Sequence, residues 1–221
     1  MTTALYFDLD GTLLSYTEAF DDMVAAVLPC KATQPMLDTY TEAVLGEIDE
    51  MTESPFEHAF GTVCREYGID ANPSTLAAEY RNREAAATAV PPAVRDLVTH
   101  LADRHPVGIL TNGDGPMQRR KVEAHGLDDL VDTVLVSNEL GVRKPDPAIF
   151  DIARERLPAD RHVYIGDTYE EDIVPAADCG FLTAYVGNDV GPAATVSAAA
   201  TADLATFLAS LLDGAVTDDS A

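Results

Sequence analysis

The chain has 221 residues, 47% of them hydrophobic, and 38 Asp and Glu against 14 Lys and Arg give a formal net charge of −24. This length and composition suit one domain, or one domain with a second inserted into it, and supply enough apolar side chains for a proper core. They exclude a nucleic-acid binder, which needs clustered Lys and Arg to release counterions, and no run of about 18 apolar residues is present to span a bilayer.

Ala4-Leu-Tyr-Phe-Asp8 reads as a short buried strand that ends at the Gly-containing turn Asp10-Gly11-Thr12. Because this apolar stretch breaks directly into Asp8-Leu9-Asp10, no signal peptide is expected. From Ser15 to about Val90 the pattern turns helical, with helices expected over Glu18–Leu28, Met36–Leu45, Pro55–Tyr67 and Pro73–Ala87. Prolines 35, 55 and 73 sit at plausible starts, and Gly68 follows a helix end. After Pro91-Pro92 helices and strands alternate. Helix Ala93–Asp103 precedes strand Val107–Thr111, helix Met117–His125 precedes strand Thr133–Ser137, and helix Pro147–Leu157 precedes strand His162–Ile165. Helix Asp172–Cys179 then precedes strand Leu182–Val186. Such alternation indicates a parallel sheet covered on both faces. Ala193–Ala202 shows only a mild Ala/Thr bias, Ala202–Leu212 reads as a last amphipathic helix, and Gly214–Ala221 as a disordered acidic tail.

In open parallel sheets ligands bind beyond the carboxyl ends of the strands, and polar residues recur at those ends here. The first strand ends in Asp8 and Asp10, the second in Thr111-Asn112-Gly113, and the fourth in Gly166-Asp167 with Asp172 five residues on. Arg143-Lys144-Pro145-Asp146-Pro147 follows the third. Singly, each is ordinary turn or capping chemistry; in this order and at these places they describe a reactive site. A carboxylate can attack phosphorus and split a hard hydrolysis into two easier steps. Clustered acids need a divalent cation between them, and Mg2+ prefers such hard oxygen ligands. Lys144 is placed to neutralise phosphoryl oxygens, and the Thr111 hydroxyl to hydrogen-bond them.

Together Asp8-Leu9-Asp10-Gly11-Thr12-Leu13, Leu110-Thr111-Asn112-Gly113, Arg143-Lys144-Pro145-Asp146-Pro147 and Gly166-Asp167-x4-Asp172 resemble the four motifs of the haloacid dehalogenase superfamily. The helical stretch after the first motif is similar to that family's first type of cap. The resemblance implies a doubly wound α/β core, residues 1–14 and 91–221, with an inserted α-helical cap over 15–90. It implies Asp8 as nucleophile and Asp10 as general acid, then base. Mg2+ would be held by Asp8, the Asp10 carbonyl and Asp167, with Asp172 a ligand or a partner of one. Thr111 and Asn112 would bind phosphate, and Lys144 would fix it against Asp8. Dehalogenases lack an acid two residues after the nucleophile, so Asp10 argues for phosphate-ester hydrolysis. Phosphonate hydrolysis needs a small residue there and a cap lysine; Lys31 is the only lysine in the cap stretch. A phosphomutase, or a binding protein that has kept the fold, is the alternative. Thr111-Asn112-Gly113 with Gln118, Lys121 and Gly126-Leu127 resembles the branch holding nucleotidases and acylneuraminate phosphatases, though Gln118 and Lys121 also fit an exposed helix face. Phosphoglycolate phosphatases are similar in architecture.

Other residues carry weaker signals. Tyr80, Arg81 and Arg83 fall late in the cap, where an arginine can hold a second anionic group or simply face solvent. The five histidines show no ligand spacing and read as structural or surface residues. Three scattered cysteines, Cys30, Cys64 and Cys179, fit a reducing cytoplasm. The acidic excess is spread along the chain, which points to a salt-rich cytoplasm where screening removes self-repulsion. The expected partner is a small phosphorylated metabolite, with neither nucleic acid nor membrane; monomer and homodimer both stay open.

Overall fold

A computed structural model describes residues 1–188 and 191–213; the expected acidic tail, 214–221, lies outside the described residues. The strands are β1 (Thr3–Phe7), β2 (Ser15–Tyr16), β3 (Thr88–Ala89), β4 (Val107–Thr111), β5 (Thr133–Val136), β6 (Arg161–Gly166), β7 (Leu182–Val186) and β8 (Val196–Ala198). Six of them form one parallel sheet in the order β5-β4-β1-β6-β7-β8. The chain fills one side of β1 with β4 and β5 and then returns to its other side with β6, so β1 lies where the strand order reverses. Phe7 pairs with Ile109 on β4 and with Ile165 on β6. The three strands therefore end within two residues of this level, β1 at Phe7, β6 at Gly166 and β4 at Thr111, and the Asp8 amide donates to the Ile165 carbonyl at 2.8 Å.

Strand alternation explains the two core layers. Leu5 and Phe7 join Val107, Ile109, Val163 and Ile165 on one face, covered by Val98, Leu101, Leu204 and Leu208. Tyr6 and Tyr164 point to the other face, against Ile149, Phe150 and Phe181. The covering helices are α5 (Pro92–Ala102), α6 (Gly115–Ala124), α8 (Pro147–Arg156), α9 (Val174–Asp178) and α10 (Leu204–Asp213), with a one-turn α7 (Ser137–Leu140) after β5.

Between β2 and β3 stand α1 (Phe20–Val27), α2 (Gln34–Asp49), α3 (Pro55–Tyr67) and α4 (Pro73–Ala86). Helix α3 begins at Pro55 and stops at Gly68, whose φ of 64° is a left-handed position that favours glycine. Asn72 caps α4 by accepting from the Ser74 and Thr75 amides. These helices enclose their own core of Tyr40, Phe56, Phe60, Val63 and Tyr80, with the Tyr40 and Phe60 rings 4.5 Å apart. The molecule is thus a Rossmann-like parallel sheet flanked by helices, with a helical cap. Among the described residues no helix is long and apolar enough to cross a membrane.

Three departures from the sequence reading have physical causes. Ser15–Tyr16 and Thr88–Ala89, the two links to the cap, pair as a small antiparallel ribbon; two residues are too few to show a period. Ala193–Ala202, which shows only a mild Ala/Thr bias and no strand period, contains β8, which pairs with β7 at the sheet edge. The segment expected as a helix from Asp172 begins earlier, as a π-turn over Tyr169–Ile173.

Candidate active site

The register of β1, β4 and β6 brings the separate motifs together. Asp8 follows β1, Thr111 ends β4, and Asp167 follows β6. Lys144 reaches in from the β5–α8 connection, and its ammonium donates to Asp8 Oδ1 at 2.7 Å, Asp172 Oδ1 at 2.5 Å and the Tyr164 hydroxyl at 2.9 Å. Tyr164 in turn donates to the Leu110 carbonyl. Asp8, Lys144 and Asp172 are all buried. Burial pushes the Asp8 carboxyl up to about 8, Asp172 adds to the rise, and Lys144 opposes it. Burial also favours the neutral form of Lys144, but Asp8, Tyr164 and Asp172 outweigh it and hold the ammonium well above the usual lysine range.

Carboxylate oxygens of Asp8, Asp167 and Asp172 lie within 4.8 Å of one another. This donor set fits Mg2+, which takes hard oxygens. Burial and the neighbouring Asp172 raise the Asp167 carboxyl, the mark of acids crowded without enough positive charge. The backbone makes room for the crowding. A Cβ on Gly11, at φ 83°, would collide with the Asp167 carboxylate, and one on Gly166 with that of Asp172. Thr12 donates to Asp167 Oδ1 at 3.2 Å.

Asp10 sits in a second, separate cluster. Lys121 Nζ donates to Asp10 Oδ1 at 3.0 Å and pairs with Glu84 Oε1 at 2.6 Å. The Tyr16 hydroxyl lies 2.9 Å from Asp10 Oδ1, and Gln118 Nε2 donates to Asp10 Oδ2 at 2.8 Å. Burial alone would raise the Asp10 carboxyl; Lys121, Gln118 and Tyr16 outweigh it and hold it below the usual range. Gln118 and Lys121, each 2% exposed, are therefore not an exposed helix face. Their spacing puts both on one side of α6, yet an isolated helix does not reveal that this side meets Asp10.

The structure also changes the reading of other residues. Asn112 uses its side chain to clasp the Lys144 backbone: Nδ2 donates to the Lys144 carbonyl at 3.0 Å, and Oδ1 accepts from its amide at 2.9 Å. That amide group therefore positions Lys144. The Thr111 hydroxyl accepts from Gln118 Nε2 at 2.8 Å and stays beside the same strand ends. Tyr80 is buried in the cap core, Arg81 pairs with Asp114, and Arg83 pairs with Glu18, so neither arginine is a free cation. Lys31 lies exposed between α1 and α2. His125 bonds Thr88, His162 the Leu157 carbonyl, and His58 Glu47.

A family model for haloacid dehalogenase-like hydrolases matches residues 2–180. The chain is 28% identical over 199 residues to the glyceraldehyde 3-phosphate phosphatase of Pyrococcus abyssi, covering 84% of this chain and 81% of that one. It is 31% identical over 121 residues to the pyrimidine 5'-nucleotidase YjjG of Escherichia coli, a match spanning 53% of this chain and 54% of the relative's length. Among solved structures, the HAD-hydrolase YfnB of Bacillus subtilis bound to magnesium is similar at a TM-score of 0.72 and 23% identity, over 94% of this chain and 99% of that one. A 2-haloacid dehalogenase of Pseudomonas syringae is similar at 0.71 and 22%, over 96% and 100%. At these identities the two structures speak for the fold alone.

Proposed function

Because the chain belongs to the haloacid dehalogenase-like hydrolases, we propose that it hydrolyses a small-molecule phosphate monoester with Asp8 as the nucleophile. The observation that carries this reading is the buried Lys144 ammonium, held against both Asp8 and Asp172 at the strand ends where Asp167 also converges. Asp8 attacks phosphorus and the ester P–O bond breaks, leaving an aspartyl-phosphate and an alkoxide. Asp10 gives the alkoxide a proton. Water then attacks the phosphoenzyme, Asp10 takes its proton, and phosphate and free Asp8 result. Asp10 starts as a carboxylate; a phosphate dianion arriving beside it raises its proton affinity, so that it takes a proton from solvent to deliver, and the proton it later takes from the attacking water goes back to solvent. Lys144 opposes the rise of the Asp8 carboxyl and meets the phosphoryl oxygens, and Thr111 hydrogen-bonds them. Asp8, Asp167, Asp172 and the Asp10 carbonyl would hold Mg2+, which when bound supplies positive charge to the phosphoryl group and the surrounding carboxylates.

Dehalogenases share the fold, but a halide leaves without a proton, so Asp10 and its supporting cluster favour an oxygen leaving group. The named phosphatase and nucleotidase relatives support the same class of substrate. A cytoplasm rich in salt is the setting that the charge of −24 favours. The test is phosphate release from a metabolite panel in multimolar KCl with Mg2+, comparing wild type with Asp8→Asn. Turnover that disappears in the variant and with EDTA is the expected result; turnover surviving Asp8→Asn would remove Asp8 as the nucleophile.

A further inference from the structure

We propose that the ester carries a bulky, largely apolar and uncharged leaving group, and that the site rejects leaving groups bearing a second anion. This rests on the phosphatase reading above and names its substrate class.

Between cap and core lies a cavity of ≈580 Å3, with Asp10, Asn112 and Gly113 in its wall. It therefore opens off the carboxylate that serves the leaving oxygen. Its volume falls in the range of pockets for ligands of about 300–1,000 Å3, far more than a two- or three-carbon alcohol fills. The lining is mainly apolar: Phe20, Met23, Ile48, Phe56 and the ring of Tyr80 from the cap, and Met117 from α6. Such a surface rewards a flat or branched apolar body and offers little to a short polar chain.

The charges point the same way. Glu18, Glu84 and Asp114 line the cavity besides Asp10, and Lys121 is the only cation among the lining residues. Its ammonium is already shared by Asp10 and Glu84. Arg81 and Arg83 are held by Asp114 and Glu18. A second phosphate or carboxylate would meet acids with no cation to receive it. Asp114 is 2% exposed, and its Oδ1 has no hydrogen-bond partner among the described residues. A buried carboxylate oxygen left so is costly, and it adds negative potential behind the cavity wall, which disfavours a second anion there.

The experiment measures kcat/KM of the wild-type enzyme, with Mg2+ in multimolar KCl, for three groups of esters. Uridine and adenosine 5'-monophosphates have large neutral leaving groups, glycerol 3-phosphate and glyceraldehyde 3-phosphate small neutral ones, and 2-phosphoglycolate and 3-phosphoglycerate anionic ones. The nucleotides are expected to lead the small neutral esters by roughly tenfold and the anionic ones by more. Equal or better turnover of the small or anionic esters overturns the inference while leaving the phosphatase reading intact. Silence from all six, with phosphate released from no other ester, overturns both. Asp114→Asn provides a second readout, because Asn keeps the helix cap but releases Arg81 from its ion pair. It should raise the 2-phosphoglycolate-to-nucleotide ratio of kcat/KM by roughly tenfold, and an unchanged ratio counts against the charge argument.

Discussion

Lys121 is a lysine with almost no solvent contact, and its one charge serves two carboxylates from different parts of the chain, Asp10 after β1 and Glu84 on α4. Its task is positioning: it holds Asp10 charged and turned toward the cavity. Replacing it by methionine leaves both carboxylates facing each other without a cation. Breaking a buried pair in this way costs about 3–5 kcal/mol, so Lys121→Met should lower the urea midpoint and move the pH–rate profile upward, since Asp10 loses the partner that holds its proton affinity down. Adding Glu84→Gln should restore part of the stability, because one uncompensated charge is removed; a double variant no more stable than Lys121→Met would refute the shared-charge account. Asp8 and Asp167 shift the opposite way from Asp10, since both carboxyls are raised. Without a cation the folded state holds extra protons between the ordinary aspartate value of 3.8 and about 8. Their stabilisation is present at low pH and is lost as pH climbs through that window. The thermal gain from Mg2+ over EDTA should therefore be larger at pH 8.5 than at pH 5.5. An equal or smaller gain at pH 8.5 would mean that these carboxylates do not bind the ion.

Helix starts, turns and links decide how the elements deliver these side chains. Asp114 and Asp146 cap α6 and α8 by accepting from the Met117 and Ala148 amides, fixing the helices that follow the Thr111 and Lys144 loops. The ribbon of β2 and β3 ties the two ends of the cap together and sets Tyr16 over Asp10. Helix α4 carries Tyr80, Arg81 and Glu84, so its start bears on the cavity although it lies away from it. Asn72→Ala removes the acceptor for two amides and should cost about 1 kcal/mol in chemical denaturation. A change of only a tenth of that would show that the first turn of α4 is held by packing instead.

For the whole molecule, charge is the dominant fact. With 38 acids and 14 Lys and Arg, even complete pairing would leave most carboxylates without a cation. Several of the cations are already spent inside the site or beside the cavity, as Lys121, Lys144 and Arg81 show. The remaining repulsion is screened over about 3 Å at 1 M salt. Thermal stability should therefore rise steadily from 0.1 to 3 M KCl, with most of the gain lost if equal osmolality is supplied by sucrose. A midpoint independent of KCl would end the salt-rich reading.

Much of the fold was legible because its signals are local. Pro55–Tyr67, Val107–Thr111 and Leu182–Val186 form as read, since a proline start, a glycine stop or a short β-rich run is written within a few residues. The motif residues Asp8, Asp10, Thr111, Lys144, Asp167 and Asp172 stand out as a set because strand ends recur in order. Two-residue β2 and β3, and β8 with its Ala/Ser composition, carry no period strong enough to notice; they exist only because a partner strand is already in place. The same holds for Gln118, Lys121 and Glu84, whose chemistry depends on the cap folding back over α6. The amino-acid sequence by itself determined the α/β layout, the helical cap and the acids at the strand ends. Only the tertiary structure decided that Asn112 holds Lys144, that Lys121 is shared by Asp10 and Glu84, and that the cavity lacks a free cation. Those depend on distances between residues far apart in the chain, which packing sets and local pattern cannot.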